Sequence, residues 1–337
     1  MTITINTGIT IGGGITIDGY PTAPVLPSAN VPWYGVAYGN GKFVAVGPAV
    51  ASDGSVITNT VGAVSTQGTG TWTTTTMPAG RWADVTYGNG KFVAIASGTA
   101  AAYSSDGVNW SSATLPSNID WNTVAYGAGV FVAVGLSNSG TGTGNYATST
   151  DGINWTARTF VGTPSYTALT FGNGLFVAVE NNSATAVSSN GTSWTTGGDT
   201  NLNSIDSVAY GNGIYVAVST TTGIFETAYS SNGLSWTRDS GTALDVVWTS
   251  IAYGNGLFAA VGYDTTTPSS TLTCMTSPDG IVWTARNLPA AGTWTGIAYG
   301  PGMYEGFVAI GYQTSGPTPP IVETPRAAVS RDGINWY

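Results

Sequence analysis

The stretch Trp294-Thr-Gly-Ile-Ala-Tyr-Gly-Pro-Gly302 has six relatives along the chain. Each opens on a bulky residue and reaches Tyr or Phe five positions later, followed by Gly-x-Gly. The other pairs are Trp33/Tyr38, Trp82/Tyr87, Trp121/Tyr126, Tyr166/Phe171, Ile205/Tyr210 and Trp248/Tyr253. Successive Tyr/Phe marks lie 39 to 49 residues apart. Self-similarity at that period marks a repeat architecture in which each unit buries its faces on its neighbours.

Reading outward from these marks gives four strand-like pieces per copy. The first is the anchor stretch itself, as in Trp82-Ala-Asp-Val-Thr-Tyr87, with large and small groups alternating. Gly-Asn-Gly follows at 39–41, 88–90, 172–174, 211–213 and 254–256, a composition suited to the positive φ of a tight hairpin. The second piece is apolar throughout, as in Phe43-Val-Ala-Val46 and Phe176-Val-Ala-Val179, and predicts a strand buried on both faces. The third ends on Ser. A second turn, Ser-x-[Asp/Asn]-Gly-x-x-Trp, then opens the fourth, at Ser104–Trp110, Ser149–Trp155, Ser188–Trp194, Ser230–Trp236, Ser277–Trp283 and Ser330–Trp336. In the first copy, Ser65–Trp72, the turn has one extra residue. The expected fold is all-β: a seven-bladed β-propeller of four-stranded blades.

The second turn resembles a shortened Asp-box, the turn of the sialidase-type (BNR-repeat) β-propellers. The resemblance covers residues 33–337 in seven copies, six of them with Asp or Asn in place. It implies the propeller fold. It does not imply the activity, because Asp-boxes in that family are structural and lie away from the active site.

The chain divides at residue 20. Residues 21–337 form the propeller. Residues 1–20 carry Gly-Ile-Thr-Ile twice, at 8–11 and 14–17, and Ile and Thr alternate in each copy. This segment resembles N-terminal segments of phage virion structural proteins. It is too short to bury Ile3, Ile5, Ile9, Ile11, Ile15 and Ile17 by itself, and these six are the expected assembly anchor, docking by β-pairing into another subunit. Thr22-Ala-Pro-Val-Leu-Pro27 repeats the pattern of Thr284-Ala-Arg-Asn-Leu-Pro289. Residues 22–27 are therefore expected to close the ring as the outer strand of the last blade, beside the strand ending near Ser330.

Composition limits the chemistry. Charged residues are 7% of the 337, the net charge is −9, and the eight Lys and Arg form no patch, which argues against a nucleic-acid partner. There is no His, so His-based catalysis and His metal sites are excluded. No apolar run is long enough to span a membrane as a helix, and the N-terminus does not read as a Sec signal peptide. The single cysteine, Cys274, reads as a small buried side chain. The sialidase family needs three arginines around a carboxylate. Here Arg158, Arg238, Arg286, Arg326 and Arg331 fall on outer strands, a third strand or a turn, and only Arg81 enters an innermost strand. Paired carboxylates for glycoside hydrolysis are offered by Asp84 with Asp120, and by Asp206 with Asp245. Their other reading is as solvated or turn-capping groups. No cofactor and no metal site is expected.

In a propeller the entrances of the innermost strands share one face with the irregular loops. The bulky marks Trp33, Trp82, Trp121, Tyr166, Trp248 and Trp294 open towards that face and are the candidate ligand-binding ring, suited to sugar stacking. Their alternative is to plug gaps between blades. The sequence points to a non-enzymatic structural or adhesive module on a virion or extracellular surface, with other surface subunits and cell-surface glycan as partners. The alternative is a carbohydrate-active enzyme of the Asp-box class.

Overall fold

The computed structural model describes residues 9–11, 15–17, 23–27, 30–51, 53–136, 145–160, 164–219, 226–239, 246–267, 269–301, 305–314 and 323–337. Among them there is no helix, and the regular structure is all strand. Each anchor stretch is an inner strand, from Gly35–Gly39 to Thr293–Gly300, paired antiparallel with the apolar strand that follows it. The hairpins turn through two residues of positive φ, as at Asn40 (46°) and Gly41 (73°). Asn-Gly is well suited to this mirror-image turn, whose twist matches that of the strands.

The apolar second strands are the buried layer, as their composition predicts. Phe176, Val177, Ala178 and Val179 are 0% exposed. Third strands pair with them, and short outer strands such as Thr156–Thr159 and Thr284–Arg286 complete the units. Three four-stranded sheets cover the units within 166–286, and a three-stranded sheet follows. The first three units are joined in one nine-stranded sheet. Thr73–Gly88 and Ser111–Gly127 each serve as the outer strand of one unit and the inner strand of the next.

The hydrophobic core lies between neighbouring units. A Cβ on Gly88 would sit 2.0 Å from the ring of Tyr126, and Gly127, Gly172, Gly211 and Gly254 meet the next unit's aromatic ring in the same way. The Tyr-Gly pairing in the sequence is therefore an inter-unit contact: each glycine leaves room for the following unit's ring. The first and last units meet too. Tyr38 Oη donates to the Pro301 carbonyl at 2.7 Å, and Thr295 Oγ1 donates to the Trp33 carbonyl. Leu26, Trp33 and Phe43 share a core with Val308, Ile310 and Val329.

Of the expected closing strand 22–27, residues 23–27 are described, and they touch both end units: Leu26 packs against Val308, Ile310 and Val329 of the last. Val25 bridges Thr71 of the first unit's turn in parallel: Val25 N–H donates to Gly70 O at 2.8 Å and Trp72 N–H to Val25 O at 2.9 Å. An outer strand elsewhere makes the same bridge to the following unit. Thr114, which precedes Leu115-Pro116, bridges Asn154 in the same parallel manner. Beside Val329 stands Tyr337, with N–H to O bonds of 3.0 and 3.1 Å in the two directions. Thr284 occupies the corresponding place beside Thr276. The local turn delivers Tyr337 to that edge at little loop-closure cost.

Candidate functional site

Six of the seven inner strands carry a register shift directly after the bulky mark, for example between Trp82 and Asp84 and between Ile205 and Ser207. A bulge inserts one residue and re-aims its neighbours. The residue after the mark lines a central cavity of about 320 Å³ in every unit, from Tyr34 in the first to Thr295 in the last, and in the five units between them the next residue lines it too. No arginine or lysine is in the lining. This ring of bulged positions was not identified in the sequence. Its signal is the small or polar pair following each mark: Asp84, Thr123, Ser207 and Ser250 hold the second place.

Most of these polar atoms join neighbouring units. Thr167 Oγ1 donates to Ile205 O at 2.6 Å and Thr249 Oγ1 to Trp294 O at 2.5 Å. Ser207 Oγ accepts from Ile251 N–H and Ser250 Oγ from Ile297 N–H, both at 3.2 Å. Asp84 takes the same place as these serines. Its Oδ2 accepts from Val124 N–H and Thr123 Oγ1, each at 2.9 Å, and its Oδ1 from Val85 N–H at 2.8 Å. Burial pushes its carboxyl up to about 6, against the downward pull of those three donors. Asp206 is exposed to the cavity, and the walls around it push its carboxyl up to about 6 by desolvation.

The two acids of the cavity are thus Asp84 and Asp206, not the pairs expected from chain order. Asp120 is exposed at the start of its strand pairing, opposite Leu136, and Asp245 lies outside the described residues. The residues of the expected ligand-binding ring are buried. Trp33, Trp82, Trp121, Tyr166, Trp248 and Trp294 are at most 5% exposed. Trp82 lies among Val44, Val46 and Met77 of one unit and Phe92 and Ala94 of the next, and donates its indole N–H to Asn59 O at 3.2 Å. Rings of this size contribute most when both faces leave water, and here the gap between sheets takes them.

In six of the seven second turns an Asp or Asn side chain accepts from two backbone N–H groups ahead of it, and the first, Ser65–Trp72, has Gln67 in that place. In Ser104–Trp110 the Ser104 Oγ accepts from Gly107 N–H at 2.9 Å, Asp106 Oδ1 accepts from Val108 and Asn109 N–H at 2.8 Å, and Trp110 donates to Gly107 O at 3.1 Å. These donors, the Asn109 backbone first, hold the Asp106 carboxyl well below the usual carboxylate range. The arginines are occupied away from the cavity: Arg81 donates to Val56 O, Arg238 pairs with Glu226, and Arg286 donates to Thr276 Oγ1. Cys274 is buried, and desolvation pushes its thiol up. Among the described residues no three metal-binding side chains gather, and no helix is long and apolar enough to cross a membrane.

Of the anchor residues, Ile3 and Ile5 lie outside the described residues. Ile9–Ile11 and Ile15–Ile17 pair antiparallel, Ile9 opposite Ile17 and Ile11 opposite Ile15, as a two-stranded sheet of their own.

No protein-family model and no curated protein matches the chain. Solved structures do. YCF48 bound to D1 peptide is 16% identical with a TM-score of 0.61, over 93% of this chain and 95% of that one. The WD40 β-propeller domain of Doa1 is 12% identical with a TM-score of 0.63, over 93% and 97%. A catalytically inactive His-to-Ala variant of virginiamycin B lyase from Staphylococcus aureus, with quinupristin, is 10% identical with a TM-score of 0.67, over 90% and 96%. The fold is a β-propeller. At these identities the likeness extends to the fold and no further.

Proposed function

We propose that this chain is a non-enzymatic structural or adhesive module: a closed seven-bladed propeller, its second turns of the Asp-box type, displayed on a virion or other extracellular surface by its N-terminal segment. The observation that carries the reading is the Ile/Thr hairpin. Its two strands pair with each other and with no described strand of the propeller. A lone two-stranded hairpin is marginal in water, and its edges are templates for another chain. Closure of the ring is supported by the core and hydrogen bonds shared by the first and last blades.

The chemistry of the channel favours display over hydrolysis. Asp84 already accepts three hydrogen bonds within the scaffold, which leaves Asp206 without a partner acid for a two-carboxylate mechanism. The chain also has no histidine to match the one whose replacement marks the inactive lyase. A protein partner is in keeping with a propeller neighbour bound to a peptide. Glycan contact falls outside the buried aromatic ring.

The test is deletion of residues 2–19, followed by sedimentation of particles from the producing cells. The full chain should travel with the particle fraction, and the truncated chain should stay behind with an unchanged circular dichroism spectrum. A truncated chain that still sediments with particles overturns the anchor.

A further inference from the structure

We propose that Asn173 and Asn255 are sites of spontaneous deamidation in the folded chain, with water as the co-reactant. Neither site depends on the display role. The chain has seven Asn-Gly steps, five in the hairpins between first and second strands and two in second turns, at Asn190 and Asn232. In this reaction the glycine nitrogen gives up its proton and attacks the asparagine Cγ. The Cγ–Nδ2 bond breaks, and ammonia leaves with that proton. Water then opens the five-membered imide at either carbonyl, leaving aspartate or isoaspartate. No oxidant or reductant is needed. Glycine favours the attack because no Cβ shields its nitrogen, and the asparagine amide must be free to turn towards it.

The fold sorts the seven steps by how firmly each is held. At the second turns both reacting groups are tied down. Gly191 N–H donates to Ser188 Oγ at 2.9 Å and Gly233 N–H to Ser230 Oγ at 2.8 Å. Asn190 Oδ1 accepts from Thr192 and Ser193 N–H, and Asn232 Oδ1 from Leu234 and Ser235 N–H, all at 2.9 Å. At the five hairpins the asparagine and its glycine are exposed. A Cβ on any of those glycines would meet nothing within 4 Å, and the asparagines share a φ of 45° to 48°. The side-chain amide makes the difference. Asn40 Nδ2 donates to Ser105 O, Asn89 Nδ2 to Thr150 O and Asn212 Nδ2 to Pro278 O, at 3.1 to 3.3 Å. Each of these bonds reaches the second turn of the next blade. Among the described residues the amides of Asn173 and Asn255 have no such partner. Conversion puts a carboxylate on the hairpin of a chain whose net charge is already −9. Isoaspartate also lengthens the main chain of a two-residue turn by one carbon.

The experiment is incubation of the folded full chain in mildly alkaline buffer, followed by peptide mapping with mass spectrometry. The mass gain at each asparagine gives its rate, which is divided by the rate of the same step in guanidinium. Asn173 and Asn255 should convert about five-fold faster than Asn40, Asn89 and Asn212, the scale of one ordinary hydrogen bond. Asn190 and Asn232 should be slowest. Asn173→Ala with Asn255→Ala copies the hairpin at Ala128, which holds a φ of 48°. The double variant should keep its circular dichroism spectrum and lose the fast-forming acidic band in isoelectric focusing. Equal rates at all five hairpins overturn the proposal. So does a folded chain that leaves Asn173 and Asn255 intact while they convert in guanidinium, or a double variant that keeps the fast acidic band.

Discussion

Asp84→Asn isolates one buried carboxyl without changing its shape. In the folded protein that carboxyl titrates near 6, raised from 3.8 by burial. Because the folded state holds the proton more tightly than the unfolded chain, the group's contribution to stability is complete below the unfolded value. It is lost as pH rises through about 6. Between pH 5 and pH 8 the loss from this one group is about 1.4 kcal/mol, from one pH unit of differential protonation. The asparagine keeps an acceptor for Val124 or Thr123 but turns an N–H₂ towards Val85 N–H or its own neighbours. That costs on the order of 1 kcal/mol at every pH. Guanidinium denaturation followed by tryptophan fluorescence at pH 5 and pH 8 separates the two effects. The variant should be less stable than the parent at pH 5 and should recover most of the difference at pH 8. The turn aspartates do not confuse this window. Asp106 and Asp151 are held low by backbone donors, so their contribution is lost only in stronger acid. Asp206 shifts in the same direction as Asp84 and leaves part of the slope in the variant. If parent and variant showed the same difference between pH 5 and pH 8, the burial argument for Asp84 would fail.

Phe176→Ala removes a ring with no exposure, packed 4.8 Å from Phe171, and should cost roughly 3–5 kcal/mol. A loss under about 1 kcal/mol in reversible denaturation would contradict a buried second-strand layer. Gly300→Ala places a Cβ 2.5 Å from Phe43 and 2.6 Å from Tyr38. It should destabilise the junction of the first and last blades by about 1–3 kcal/mol, read as faster proteolysis near Gly39. Unchanged proteolysis would argue against a tight junction there.

The sequence was most readable where one residue type has one steric job. Asn-Gly at 40–41 announced a positive-φ hairpin, and Phe-Val-Ala-Val announced a strand with no wet face. The Tyr-Gly pairs were visible as a repeat, though their purpose, a ring laid over the preceding blade's glycine, needed the neighbour in view. The bulge after each mark was not readable. The small or polar pair that follows the mark also suits an unbroken ladder, and it is the pairing that decides that Asp84 and Asp206 face the cavity while Trp82 turns into the gap between sheets.

The shared strands Thr73–Gly88 and Ser111–Gly127 have a mechanical consequence. Elsewhere around the molecule neighbouring blades are joined by side-chain packing and by scattered bonds, such as Gly198 N–H to Leu234 O, rather than by a shared strand. Across the first three the ladder is continuous, so slow amide exchange should extend over them as one cooperative block.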